Sequence, residues 1–219
     1  MPRTVDLDDR RRIVGEAAWR VLVREGPTGV SVRKVAAEAG LPPSSLRYTF
    51  PTQASVRDAA VELLVSRLRE RVDRAAAATG GRDAARAVLL ELLPLDDERR
   101  AEMEVTVAFA ALALTDPSLR AAHEQTHAAV RDVCALALAH LGARGAAGAG
   151  DGVRTHAAPG TRAVAGTAAA AELVDVDVEL THAVVDGLAL HLLAQAVGTD
   201  ASWAVTALDA HLALLALRP

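Results

Sequence analysis

The 219 residues include a single cysteine, Cys134, and a single lysine, Lys34. One cysteine excludes an intrachain disulfide and any multi-cysteine zinc site, and it suits a reducing cytoplasm. Aromatics make up only 2%: Trp19, Tyr48, Phe50, Phe109 and Trp203. With so few aromatic or β-branched runs, an all-β fold is not expected. No stretch reaches the roughly 18 apolar residues of a membrane span. The longest candidates are cut by Thr106 and Asp186. Residues 1–12 are polar and lack the apolar core of a secretory signal, so a cytoplasmic protein with no membrane partner is expected.

Alanine and arginine are abundant, at 49 and 23 residues. Alanine is the best helix former. Part of this excess also resembles the bias of a GC-rich genome. The net charge of −4 hides an asymmetry. Residues 1–74 carry 14 basic and 10 acidic side chains, whereas residues 75–219 carry 10 and 18. A basic head on an acidic body points to a head that meets a polyanion.

Apolar spacing predicts helices throughout. Asp8–Glu25 carries Ile13, Ala17, Ala18, Val21 and Leu22 at helical intervals and ends at Gly26-Pro27. Ser31 caps a short helix, Val32–Ala39, and Gly40 turns the chain. Pro42 and Pro43 sit where a helix over Ser44–Phe50 begins. A long helix then covers Gln53 to Thr79, capped by Thr52. Further helices are expected over Asp83–Leu93, Asp97–Leu114 (buried nearly all round), Asp116 to Leu141, Ala170–Val197 and Asp200–Leu217. Residues 142–168, rich in Gly and Ala without periodicity, read as a flexible insert. The fold class is therefore all-α, with about nine helices.

The second and third helices with their glycine turn form a helix-turn-helix. Val35, Ala36, Ala39, Leu41, Leu46 and Phe50 supply its inner packing. The outward residues of the third helix are Ser44, Ser45, Arg47, Tyr48 and Thr49. All can hydrogen-bond and none is acidic, which suits phosphates and base edges.

Residues 31–56, SVRKVAAEAGLPPSSLRYTFPTQASV, resemble the DNA-binding head of the tetracycline-repressor (TetR) family of bacterial regulators. LTHAVVDGLALHLLAQ and ALDAHLALLAL resemble its two dimerising helices. The resemblance implies a DNA-binding domain over 1–52 and a regulatory domain over 53–219. Within the latter it implies a connecting helix at 53–79 and dimerisation helices at 170–217. It implies a homodimeric repressor on a double-stranded operator, released by a small-molecule effector, with no enzymatic activity, cofactor or metal. Matching positions assign DNA contact to Ser31, Arg33, Lys34, Pro43, Ser44, Ser45, Arg47, Tyr48 and Thr49. Arg47 stands where the family usually has a tyrosine, Gln53 where a lysine is common, and Pro42 where a serine cap is usual.

The last two helices are too apolar to be solvated singly. Val184, Gly187, Leu188, His191 and Leu192, with Leu208, Leu212 and Leu215, are the expected dimer interface; the alternative is that these stripes are intrachain core. The implied effector cavity places Met103, Thr106 and Phe109 on its wall, with His123, Thr126 and Gln195 as polar contacts. Few charges on these faces suggest an apolar or weakly polar effector.

His123-Glu124-Gln125-Thr126-His127 fits the zinc-hydrolase pattern, two histidines on one helix face with a glutamate as base. No third ligand follows: the metzincin positions hold Val130 and Val133, and Cys134 lies roughly 10 Å further along a helix. A zinc-dependent hydrolase is the alternative from the enzyme class, a non-DNA-binding helical scaffold another, and a regulatory metal at the two histidines a third.

Overall fold

A computed structural model describes residues 7–148 and 163–217, with side chains over 9–142 and 175–217. Among the described residues there are nine α-helices and no strand. They are α1 (Leu7–Glu25), α2 (Val32–Glu38), α3 (Pro43–Thr49), α4 (Gln53–Ala78), α5 (Arg82–Leu90), α6 (Asp97–Ala113), α7 (Arg120–Gly148), α8 (Ala163–Leu193) and α9 (Ser202–Leu215). None is long and apolar enough to cross a membrane.

The ends of the helices follow their capping chemistry. The Ser31 hydroxyl accepts the Lys34 amide, and the Asp96 carboxylate accepts the Arg99 amide at 2.8 Å. Thr52 Oγ1 accepts the Ser55 amide at 3.0 Å and opens α4. Pro42 caps α3 without a side-chain bond, and Pro43 sits at its first position. Gly40 turns the chain at φ +65°, a conformation that a side chain disfavours. Helix α7 starts at Arg120, after a short 3-10 turn over Pro117–Leu119, and α8 ends at Leu193, short of the expected Val197. Helix α7 continues to Gly148 and α8 starts at Ala163, so both ends of the 142–168 segment are helical. Alanine propensity there outweighs the glycines. Residues 149–162 lie outside the described residues.

The chain divides into two compact units. The first comprises Met1–Arg71 and Pro94–Ala129. Its core gathers Val14, Ala17, Ala18, Val21 and Leu22 from α1, Val35 and Ala36 from α2, and Leu46 from α3. Val56, Ala60 and Leu64 of α4 join them, with Val105 and Phe109 of α6. Ile13 is 44% exposed, and Val14 takes the inward place expected of it. The true stripe runs 14, 17, 18, 21, 22, a better helical period. A Cβ on Gly15 would lie 3.2 Å from the Ala59 carbonyl, so α1 and α4 approach closely there. Arg67 of α4 grips Glu16 of α1 at 2.8 and 2.9 Å. Arg71 of α4 makes a two-pronged ion pair with Glu102 of α6, both largely buried. Helix α6 is not buried all round: Glu104 and Ala111 are exposed, because its packing is one-sided.

The second unit comprises Val72–Leu93 and Val130–Pro219. Asp209 of α9 pairs with Arg86 of α5 at 2.6 Å. Arg131 of α7 pairs with Asp175 and Glu179 of α8. The Thr181 hydroxyl lies 3.0 Å from His211 Nε2, joining α8 to α9. Cys134 is fully buried, and burial pushes its thiol up to about 12, reinforced by the negative charges of Asp186 and Glu179.

Candidate nucleic-acid interface, helix face and cleft

Helix α3 is held from below by Leu46, fully buried, and by Phe50 at its end. Ala39 and Leu41 pack against the same core. The outer face then carries Pro43, Ser44, Arg47 and Tyr48 exposed, with Ser45 and Thr49 half-buried. Tyr48 is 91% exposed. On α2, Arg33 and Lys34 are exposed and Ser31 is half-buried. The structure thus brings all nine residues expected at DNA onto α2, its cap and α3.

Besides the capping Ser31, two of these nine already have side-chain partners. Lys34 Nζ donates to Glu25 and to the Gly29 carbonyl. That bond holds the Glu25 carboxyl below its usual range. The Ser45 hydroxyl accepts from Arg10, whose guanidinium also reaches the Ser45 carbonyl at 3.4 Å. Arg10 therefore stands beside the recognition helix, a residue that sequence reasoning missed; the DRRR run at 9–12 was its only signal. Arg20 and Arg24 of α1 both pair with Glu38 of α2, which lowers its carboxyl. Gln53 Nε2 donates to the Val30 carbonyl and so ties the start of α4 to the head.

The residues expected at the dimer interface divide between the inside and the outside of the single chain. Leu188, Leu192, Leu208 and Leu212 are buried within the single chain and present nothing to a partner. They form the α8–α9 side of the second unit's core. Val184, Gly187 and Leu215 are half-buried and His191 is exposed. The apolar residues left outside are different. Val176, Leu180, Ala183, Gly187 and Leu190 recur every three or four residues along α8, and Trp203, Ala207, Ala210 and Leu214 do so along α9. Leu190 is 52% and Leu214 65% exposed. A Cβ on Gly187 would meet nothing within 4 Å, so a neighbouring helix could approach there. The His191 and Trp203 rings, 6.4 Å apart, join the two stripes.

A cleft of about 510 Å³ opens between the end of α6 and the first turns of α7. Ala110, Ala113, Leu114, Arg120, His123, Glu124 and His127 line it. Only His123 of the six residues expected at an effector is among them. Phe109 is fully buried in the first unit's core, and Met103 is nearly so. Thr106 donates to the Glu102 carbonyl, and Thr126 to the His123 carbonyl, both at 2.9 Å. These hydroxyls close their own helical turns, as Ser and Thr often do. Gln195 follows α8 in the second unit. The cleft is also more polar than the expected wall, since four of its seven lining residues are Arg, His or Glu.

His123 and His127 face each other edge to face, ring centres 5.7 Å apart. Among the described residues no group of three or more His, Cys, Asp or Glu side chains converges on a point. A hydrolytic zinc centre needs three protein ligands, so this pair does not make one.

Near Leu114 and Arg120, the connection from α6 to α7 is anchored to α4. Arg57, 6% exposed, donates to the Ser118 carbonyl at 3.2 Å. Asp116 accepts the Ser118 amide at 2.9 Å, and the Ser118 hydroxyl and amide together hold its carboxyl below the usual range. The spacing of isolated Arg57 and Ser118 gave no hint of this contact.

The fold has relatives. A crystal structure of a transcriptional regulator from Rhodococcus sp. Rha1 superposes with a TM-score of 0.67 at 25% identity, covering 95% of this chain and 99% of that one. A regulator from Saccharomonospora viridis, solved in complex with choline, gives 0.63 at 19%, covering 94% and 96%. A family model for the C-terminal region of BetI-type transcriptional repressors matches residues 81–165. The HTH-type transcriptional regulator PksA of Bacillus subtilis is 30% identical over 195 residues, which is 88% of this chain and 83% of that protein. The chain belongs to the TetR family of transcriptional regulators. As in that family, α1–α3 form a DNA-binding helix-turn-helix head, and the remaining helices form the regulatory body. TetR regulators bind DNA operators, dimerise and take small-molecule ligands.

Proposed function

We propose that this TetR-family protein is a cytoplasmic homodimeric repressor that leaves its operator when a small molecule occupies the α6–α7 cleft. The observation that carries the DNA reading is α3 itself: buried anchors beneath, and an exposed, donor-rich face free of acid above. Ser44, Arg47, Tyr48 and Thr49 meet the major groove and its phosphates, with Arg33 and Ser31 on the flanking backbone. Residues 1–52 act as the reading head and 53–219 as the regulatory part. The exposed α8–α9 stripes pair with their copies across a two-fold axis and bring two heads to one operator.

The switch is supported by a chain of contacts within the first unit. A ligand in the cleft presses on Leu114 and Arg120, on either side of the turn that holds Ser118. Arg57 passes that movement to the start of α4, and Gln53 passes it to the head. The ligand must favour the DNA-free arrangement by several kcal/mol for a full switch. The residues that line the cleft include no Phe, Tyr or Trp, so a quaternary ammonium would find no electron-rich aromatic cage there. The unlike charges of Arg120 and Glu124 instead suit a small polar effector.

Selection of bound DNA from a random pool, followed by titration of the selected site in rising salt, tests the reading. Binding should weaken steeply with salt, in proportion to the phosphates neutralised. Retention that ignores salt, or a pool that yields no preferred sequence, refutes it.

A further inference from the structure

The histidine pair is not used by the DNA-binding head, and hydrolysis does not account for it. His123 and His127 sit one turn apart on one face of α7, and both line the cleft. Nδ1 of His123 is shut away from solvent with no hydrogen-bond partner, a ring nitrogen that the protein leaves unsatisfied beside the cleft. Two imidazoles sharing one ion through bonds of about 2.0–2.1 Å hold their ring centres on the order of 5–6 Å apart. The observed separation is 5.7 Å.

We propose that the cleft takes a divalent transition-metal ion of the zinc or nickel class, chelated by His123 and His127. Neutral imidazole suits these ions, whereas hard cations such as magnesium prefer oxygen donors. Glu124 follows His123 directly, so it leaves the helix about 100° away and stays out of the two-nitrogen chelate. The remaining coordination positions go to water or to an anion beside Arg120, which lines the same wall. An ion with only two protein ligands is exchangeable, as a signal must be and a structural zinc is not. For its effect on DNA this inference rests on the cleft being the regulatory site; metal uptake itself does not.

Full-length protein stripped with a chelator is titrated with zinc chloride, then with nickel chloride, in a calorimeter. One ion per chain is expected, with affinity falling at least about tenfold in His123→Ala and in His127→Ala, because each leaves a single nitrogen. His140→Gln should stay within about twofold of the parent, as a histidine of α7 that does not line the cleft. His127→Asn, which keeps a polar side chain on an exposed turn, serves if alanine disturbs the helix. No saturable uptake, or uptake unchanged in either histidine variant, overturns the proposal. Operator occupancy is read in parallel. Zinc that binds through the pair but leaves the operator occupied sustains the metal site and counts instead against the cleft as the effector site.

Discussion

Helix α3 and the α8–α9 pair both carry apolar residues at helical spacing, but they use them differently. In α3 the apolar positions are Leu46 and the terminal Phe50, and both turn inward. Apart from Pro43 at its first position, every outward residue can hydrogen-bond. In α8 and α9 apolar residues cover both sides: Leu188, Leu192, Leu208 and Leu212 inside, Leu180, Leu190 and Leu214 outside. A one-sided stripe identifies its own buried face. A two-sided helix does not say which stripe packs on its own chain and which waits for another.

The largest effect should come from the inner stripe. Leu208→Ala is expected to cost about 2–5 kcal/mol in a urea melt, as a fully buried leucine does when a cavity replaces it. A loss below 1 kcal/mol, on the order of a surface change, would put Leu208 at an interface after all. Next comes the outer stripe. Leu190→Glu with Leu214→Glu should halve the solution mass and weaken operator binding by roughly an order of magnitude or more, since one head then binds alone. Sedimentation that still shows dimer would move the seam elsewhere.

A smaller effect is expected on the head. Arg47→Ala should reduce the slope of log affinity against log salt by about one and weaken most sequences alike. Ser45→Ala should mainly alter base preference, and Arg10→Ala should alter it in the same direction, because Arg10 holds the Ser45 hydroxyl. Opposite shifts in the two variants would show that Arg10 and Ser45 act separately. The smallest effect is on pH. The Ser118 bonds lower the Asp116 carboxyl in the folded chain. Its stabilising share is present above the unfolded value and fades as pH falls through the lower, folded one. Asp116→Asn should flatten that acid-side loss of melting temperature, and an unchanged acid limb would mean the turn does not matter.

The head was legible because each of its signals is local. Ser31, Gly40, Pro43 and the 35–46 packing set each depend on neighbours within a turn or two. The ties that organise the first unit were not legible. Arg57 to Ser118 spans 61 positions, Arg67 to Glu16 spans 51, and Gly15 matters only because Ala59 lies against it. Nothing in the chain distinguishes these two arginines from the twenty-one others. The residues expected at an effector do not gather at the cleft, for a related reason. Met103 and Phe109 have the apolar spacing of a pocket wall, but that is also the spacing of a core; here both are buried, Phe109 in the first unit's core cluster. Thr106 and Thr126 similarly direct their hydroxyls to their own backbone.

Cys134 carries a practical consequence. Its sulfur lies in the packed interior of the second unit and holds its proton far above neutral pH. Disulfide reagents attack thiolates that they can reach, so the folded chain should react slowly. The rate of reaction then becomes a clock for how often that region breathes open. Because the chain has no other thiol, the clock runs on one signal without mutagenesis. Timed with and without operator or ligand, it would report whether binding at the head or the cleft is felt at Cys134.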